Sequence, residues 1–276
     1  MKLNEVTDKK SVPNPSDLRH LKPWMYKAKP KIERWMDINN IEGYVDPDTL
    51  MIYPSTANVD LSHFNGRHIF VRYQNRKCLP VCFKFAQTFD ADGIGLENFY
   101  GSPFLVHNDF RCRKARLNDK DAFQDAPKTI SGRLTGSTET HITNFRGLED
   151  CNITDIYFGG YAAPNEAMET AIKVDNIGGL PKSLLNFYVY NLRSISGIHK
   201  QCPNLRLLHI NRNVPDGLLS ILRTQDPHFM FGFVGNDFWD LERAYKIVQK
   251  HVDNERNVFD CQEELLVNGL KEYAKL

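Results

Sequence analysis

The apolar positions of the chain recur as pairs separated by one residue, and the pairs themselves recur at a longer, regular interval. Phe89 and Ala91, Phe110 and Cys112, Leu134 and Gly136, Ile156 and Phe158, Phe187 and Val189, Leu208 and Ile210, and Phe231 and Phe233 each follow a turn-rich break. Prolines at 80, 103, 127, 181, 203 and 227 lie 23, 24, 54, 22 and 24 residues apart, and the interval of 54 divides into two units near Cys151. Alternation with period two marks a strand with one buried face. Each unit of 21 to 24 residues, with one of 31, therefore holds a short strand and a return loop. Such a unit cannot bury its apolar side chains alone, so successive units must stack and align them in one column. The expected fold is α/β, a solenoid of stacked parallel strands with loops and one helix on the convex side, capped by helices at both ends.

The flanks are read as those caps. Residues 1–60 form a basic arm and a helical and strand-containing cap, 61–235 the repeat solenoid, and 236–276 a two-helix cap. Prolines at 13, 15, 23 and 30 exclude one long helix at the start, and Pro30 suits the first position of a short helix with Ile32, Trp35 and Met36 on one face. Short extended pieces follow at 43–45, 50–52, 59–61 and 69–73. PNEAMETAIKV, in the long unit, reads as a helix beginning near Pro164. At the C-terminus Phe238, Leu241, Tyr245, Val248 and Val252 share a helical face. A second helix has Asp260 as its expected N-cap and Leu266, Leu270 and Tyr273 facing inward.

The spacing of Phe89, Ala91, Leu96, Phe99, Gly101 and Pro103, then Val106, Phe110 and Cys112, then Ile130, Leu134 and Gly136, resembles that of the leucine-rich-repeat-like proteins encoded by large tailed bacteriophages. Ile153, Ile156 and Phe158, with Leu184, Phe187 and Val189 and with Leu205, Leu208 and Ile210, are closer to the general leucine-rich form. IERWMDINNIEGY and CQEELLVNGLKEYA look like the family's flanks. The Asn that ladders its amide along each turn of the family is replaced by Ile94, Ala115 and Glu139 in the first units, with Asn213 as its clearest remaining candidate. The resemblance implies a leucine-rich-repeat-like solenoid working in the cytoplasm of an infected bacterium, with no common activity attached.

Charge changes this picture little. The 276 residues carry a formal charge of +1, which gives no general attraction to nucleic acid or an acidic membrane. Residues 1–36 hold nine Lys or Arg against four Asp or Glu, so a basic arm meeting an acidic partner or nucleic acid is an alternative to a solvated cap. No catalytic, phosphate-binding or cofactor motif is present, and no cofactor is expected. Cys78 and Cys82 with His63 or His68 have loose spacing for a metal, and FDADG at 89–93 lacks the further ligands of a calcium loop. The cysteines are expected as free thiols.

If the paired apolar residues point inward, their neighbours face outward on the sheet. That face carries Asp109, Arg111 and Arg113, then Arg133, Thr135 and Ser137, Asp155 and Tyr157, Asn186, Tyr188 and Tyr190, and Leu207, His209 and Asn211. Tyr157, Tyr188, Tyr190 and His209 should cluster, because neighbouring strands lie about 4.8 Å apart. The expected function is noncatalytic binding of a host or viral protein through Arg111, Arg113, Arg133, Asp155, Tyr157, Tyr188, Tyr190, His209 and Asn211, inhibiting a host defence or housekeeping factor. A virion component is the alternative.

Overall fold

A computed structural model describes residues 42–45, 49–53 and 59–71 as backbone strands and, with short interruptions, residues 81–158 and 174–275. The basic arm, the helix expected after Pro30 and the helix expected near Pro164 lie outside the described residues. The strands are β1 (Glu42–Val45), β2 (Thr49–Tyr53), β3 (Val59–Val71), β4 (Val81–Asp90), β5 (Leu105–Val106), β6 (Phe110–Ala115), β7 (Thr129–Thr138), β8 (Asn152–Phe158), β9 (Asn186–Tyr190), β10 (Leu207–Asn211) and β11 (Met230–Val234). They form one sheet in chain order, with β5 and β6 both lying between β4 and β7. β1 and β2 are antiparallel and every other pairing is parallel. The chain is thus a parallel β-solenoid of about five turns. The pieces expected separately at 59–61 and 69–73 are one strand, β3, ending at Val71, whose pairing with β4 shifts between Leu61 and Asn65. A bulge lets one long strand carry two alternation frames, which the sequence shows as two short runs.

The paired apolar positions do align. Phe89, Phe110, Leu134, Ile156, Phe187, Leu208 and Phe231 are register partners from β4 to β11, and all are buried. Cys112, Gly136, Phe158, Val189 and Ile210 form the second column. Gly136 is required there, since a Cβ on it would stand 2.9 Å from both the Cys112 sulfur and the Phe158 ring. The loops add further rings to the core. Phe99, Phe123 and Phe145 stack at centroid distances of 5.6 and 5.5 Å, and Phe145 also meets Phe158 and Phe187 edge-on at 5.6 and 5.5 Å. Burying each such ring contributes about 1.5–3 kcal/mol, and offset or edge contacts add about 0.5–1.5 kcal/mol per pair.

The side opposite the strands repeats as well. The i→i+3 bonds Phe99–Ser102, Phe123–Ala126, Phe145–Leu148, Ile177–Leu180 and Ile195–Ile198 close the same reverse turn in five units. Its third residue has positive φ at Asp125 (61°), Gly147 (107°), Gly179 (85°) and Gly197 (78°), which is the type II arrangement and explains the preference for glycine. The residue before the buried ring or isoleucine caps the turn. Asn98, Asn144 and Asn176 accept from the amides of Tyr100, Arg146 and Gly178 at 2.9–3.0 Å, and Ser194 accepts from Ser196 at 3.3 Å. The repeating turn motif is therefore Asn/Ser-apolar-x-Gly (98–101, 144–147, 176–179, 194–197). It sits away from the positions where the family-like asparagine was sought. Of those, Ala115 is buried, while Ile94, Glu139 and Asn213 lie outside the described residues.

After β9 come a short helical turn, α1 (Ile198–Gln201), and after β10 a 3-10 turn (Leu218–Arg223). β11 is followed by α2 (Trp239–Asp253) and α3 (Val258–Val267). α2 buries Ala244, Tyr245, Val248 and Val252, and Tyr245 stacks on Phe231 at 4.9 Å. The α3 N-cap is Asn257, whose side chain accepts from the amides of Phe259 and Asp260, rather than Asp260 itself. Its inward face is Val258, Cys261 and Leu265; of the residues expected inward, Leu270 is buried and Tyr273 packs against the core, whereas Leu266 is 49% exposed. Arg256 ties the helix pair to the coil by donating to the carbonyls of Thr224 (3.1 Å) and Asp226 (2.8 Å). Cys112, Cys151, Cys202 and Cys261 are buried free thiols. No helix among the described residues is long and apolar enough to cross a membrane.

Candidate binding face on the sheet

Strand alternation and the pairing from Arg133 to Gly136 onward place the outward residues in rows that cross the strands. The central row runs Asp90, Arg111, Thr135, Tyr157, Tyr188, His209 and Gly232. A flanking row runs Arg133, Asp155, Asn186, Leu207 and Met230. Tyr190, Asn211 and Val234 are register partners farther along the strands.

Three of the expected aromatic residues form a ladder. The rings of Tyr157 and Tyr188 stack at 4.0 Å and 14°, and those of Tyr188 and His209 at 5.3 Å and 23°. The Arg133 guanidinium carbon lies 5.0 Å from the Tyr157 centroid, on the side away from Tyr188 because β7 and β9 flank β8. At the other end His209 is seated on Gly232, where a Cβ would stand 2.8 Å from Nδ1. Sequence reading missed Gly232 as part of the site. The available signal was its offset from His209, which is one repeat of 23 residues.

The stack decides what a ligand can meet. Tyr157 has one face against Arg133 and the other against Tyr188; Tyr188 lies between Tyr157 and His209. The rings therefore stand edge-on to solvent and offer polar edges rather than ring faces. Partial burial and a hydrogen bond with Tyr188 push the Tyr157 phenol up to about 12, so it is uncharged near neutral pH. Burial lowers the pKa of His209 below its usual value, which favours the neutral imidazole with one donor and one acceptor.

The charged residues divide into two groups. Asp92 accepts the backbone amide of Arg113 at 2.7 Å and its Nε at 2.6 Å, so Arg113 is held at the β4–β6 turn and away from the ladder. Asp109 accepts the Arg133 amide at 3.1 Å and meets Arg111 at 3.5 Å. Asp155 accepts from Asn186 Nδ2 at 2.8 Å and from Thr154 at 2.7 Å. Its oxygens are occupied within the sheet, and it does not pair with its register partner Arg133. Among the described residues no carboxylate lies within ion-pair distance of the Arg133 guanidinium, which lies over the Tyr157 ring. Tyr190 is half-buried two residues beyond Tyr188, outside the ring stack. Asn211 is in β10.

FDADG is a turn, with Asp90 Oδ1 accepting the Asp92 amide and Gly93 at φ 75°. Cys78 lies outside the described residues. The fold defines the protein as a parallel β-solenoid carrying a stacked Tyr-Tyr-His row. No family model, curated protein or solved structure matches the chain.

Proposed function

We propose that the protein is a noncatalytic binding protein that holds a protein partner against the solvent face of its sheet, around Arg133, Tyr157, Tyr188 and His209. The observation that carries this reading is the ladder itself. Four side chains from four successive strands are ordered against one another on a rigid sheet, so little rotamer entropy remains to be lost when a partner binds. Tyrosine and arginine in such settings dominate interface energetics. Following the resemblance to phage-encoded leucine-rich-repeat-like solenoids, the partner is a host or viral protein met in the cytoplasm of an infected bacterium, and binding inhibits or redirects a defence or housekeeping factor. The C-terminal helices serve as the cap of the stack in this reading.

The test is capture by the tagged full-length protein from bacterial lysate, with and without infection. It is repeated with a variant carrying Tyr157→Ala, Tyr188→Ala, Tyr190→Ala and His209→Ala whose circular dichroism matches the parent. One stoichiometric protein captured by the parent and lost from the variant supports the reading. A partner that the variant retains, or none in either lysate, refutes it.

A further inference from the structure

Arg133 stands at one end of the ladder, over the Tyr157 ring. We propose that the partner segment seated there is an extended acidic peptide. One of its carboxylates pairs with Arg133, and its next polar groups take hydrogen bonds from Tyr188 and His209. The inference rests on the binding role proposed above and specifies the partner's chemistry.

Three observations converge on it. First, the acidic groups of this face already have partners, Asp90 in the Asp92 amide, Asp92 in Arg113, Asp109 in Arg111 and the Arg133 amide, and Asp155 in Asn186 and Thr154. Among the described residues no carboxylate meets the Arg133 guanidinium, so the unmet charge there is positive. Second, the ladder holds that guanidinium in place against Tyr157. A planar, pre-positioned guanidinium suits bidentate pairing with a carboxylate. Third, the ring faces are covered on both sides. Nucleobases and sugar rings are recognised by stacking on open aromatic faces, and this row provides none. Peptide carbonyls need only edge donors, which a phenol O–H and an imidazole N–H supply.

Geometry sets the length. From β7, which bears Arg133, to β10, which bears His209, is three strand spacings, roughly 14 Å at about 4.8 Å each, and an extended peptide covers it with about four to five residues. Leu207 and Met230, the latter 59% exposed, line the row beside His209, so an apolar residue fits at the far end of the segment.

The probe is fluorescein-labelled Glu-Ser-Glu-Ser-Leu-Ser, titrated against the full-length protein by fluorescence anisotropy. The same peptide with Lys for Glu and a labelled single-stranded dT8 serve as comparisons. The acidic peptide is expected to bind with an affinity that falls as salt rises, weakened about tenfold by Arg133→Gln and about threefold to fivefold by Tyr188→Phe, and the lysine peptide is not. Arg133→Gln keeps a long polar side chain and Tyr188→Phe keeps the ring stack, so both leave the fold intact. No binding of the acidic peptide at 1 mM (an order-of-magnitude ceiling for a bare pair of contacts), or binding indifferent to Arg133→Gln, overturns the inference. Tighter, Arg133-dependent binding of dT8 overturns it in favour of nucleic acid. A protein captured from lysate through the ladder but not displaced by the acidic peptide would leave the binding role standing and remove the acidic segment alone.

Discussion

Gly179 and Gly197 occupy the same place in successive reverse turns, with φ of 85° and 78°, but they differ in what surrounds them. A Cβ on Gly197 would meet nothing within 4 Å, whereas on Gly179 it would stand 2.4 Å from the Arg146 nitrogen and 2.5 Å from the Arg146 Cα and the Phe145 carbonyl carbon. Substituting alanine at either position incurs the left-handed penalty of about 1–2 kcal/mol, partly offset by the lower entropy of the unfolded chain. Gly197→Ala should therefore lose about 1 kcal/mol. Gly179→Ala must also move its turn by about 1 Å off the preceding one, because ordinary carbon contacts begin near 3.5 Å. That displacement breaks the bond from the Phe145 amide to the Gly178 carbonyl, 2.7 Å long, and leaving such a buried pair unmade costs about 1–3 kcal/mol. The expected total is about 2–4 kcal/mol. Urea denaturation followed by circular dichroism, with both variants compared at the midpoint, measures the difference directly. Equal losses, within about 0.5 kcal/mol, would refute the claim that backbone approach between turns, rather than left-handed geometry, makes Gly179 necessary.

Other expected outcomes follow from the core, the ladder and the helix pair. Phe145→Ala removes a ring that touches Phe123, Phe158 and Phe187 and should cost about 3–5 kcal/mol, with Phe145→Leu costing less than half of that; denaturant midpoints check both. Gly232→Val occupies the seat of His209 and should raise the histidine's pKa toward its usual value by forcing the ring outward, read from its imidazole proton shifts in an NMR titration. An unchanged titration would count against the seat. Glu264 accepts from Lys250 Nζ at 2.9 Å and pairs with His251 Nε2 at 2.8 Å between α2 and α3, and those partners hold its pKa below the usual carboxylate value. A depressed folded-state pKa contributes stability that is present above the ordinary value near 4.5 and is lost as the pH falls through the lowered one. Glu264→Gln should therefore flatten the acid limb of the stability curve below about pH 4.5, measured as midpoint against pH, and leave the neutral limb parallel to that of the parent.

Legibility in the sequence followed the strength of the alternation. The inward pairs from Phe89 to Phe231 were readable because a column seven strands long admits one frame, and a slip of one residue would expose every member. The aromatic row followed from the same frame, since residues between two inward positions must face out. Its chemistry did not follow. That Tyr157 and Tyr188 present edges instead of faces depends on rotamers and on the room left by Gly232, neither of which has a period. The pairing of Arg113 with Asp92 was also hidden, because those residues are 21 apart and meet only once the coils stack. The asparagine turns were overlooked for a different reason. The motif at Asn98, Asn144 and Asn176 is interrupted at Ala122 and by the long unit, so its spacing is uneven even though its geometry is constant. At the C-terminus Leu270 and Tyr273 do face inward as expected, while Leu266 turns outward and the cap falls on Asn257 instead of Asp260.

Val174 bridges in parallel to Ile142 on one side and to Leu192 on the other, so the coil that contains the long unit rejoins its neighbours at the residue any ordinary coil would use. The pitch of that coil against both neighbours is thus fixed by Ile142, Val174 and Leu192 themselves. For the experimenter, Val174 is a fiducial point: a reporter at this position reads the stacking of three coils at once, independently of the Tyr157–Tyr188–His209 row.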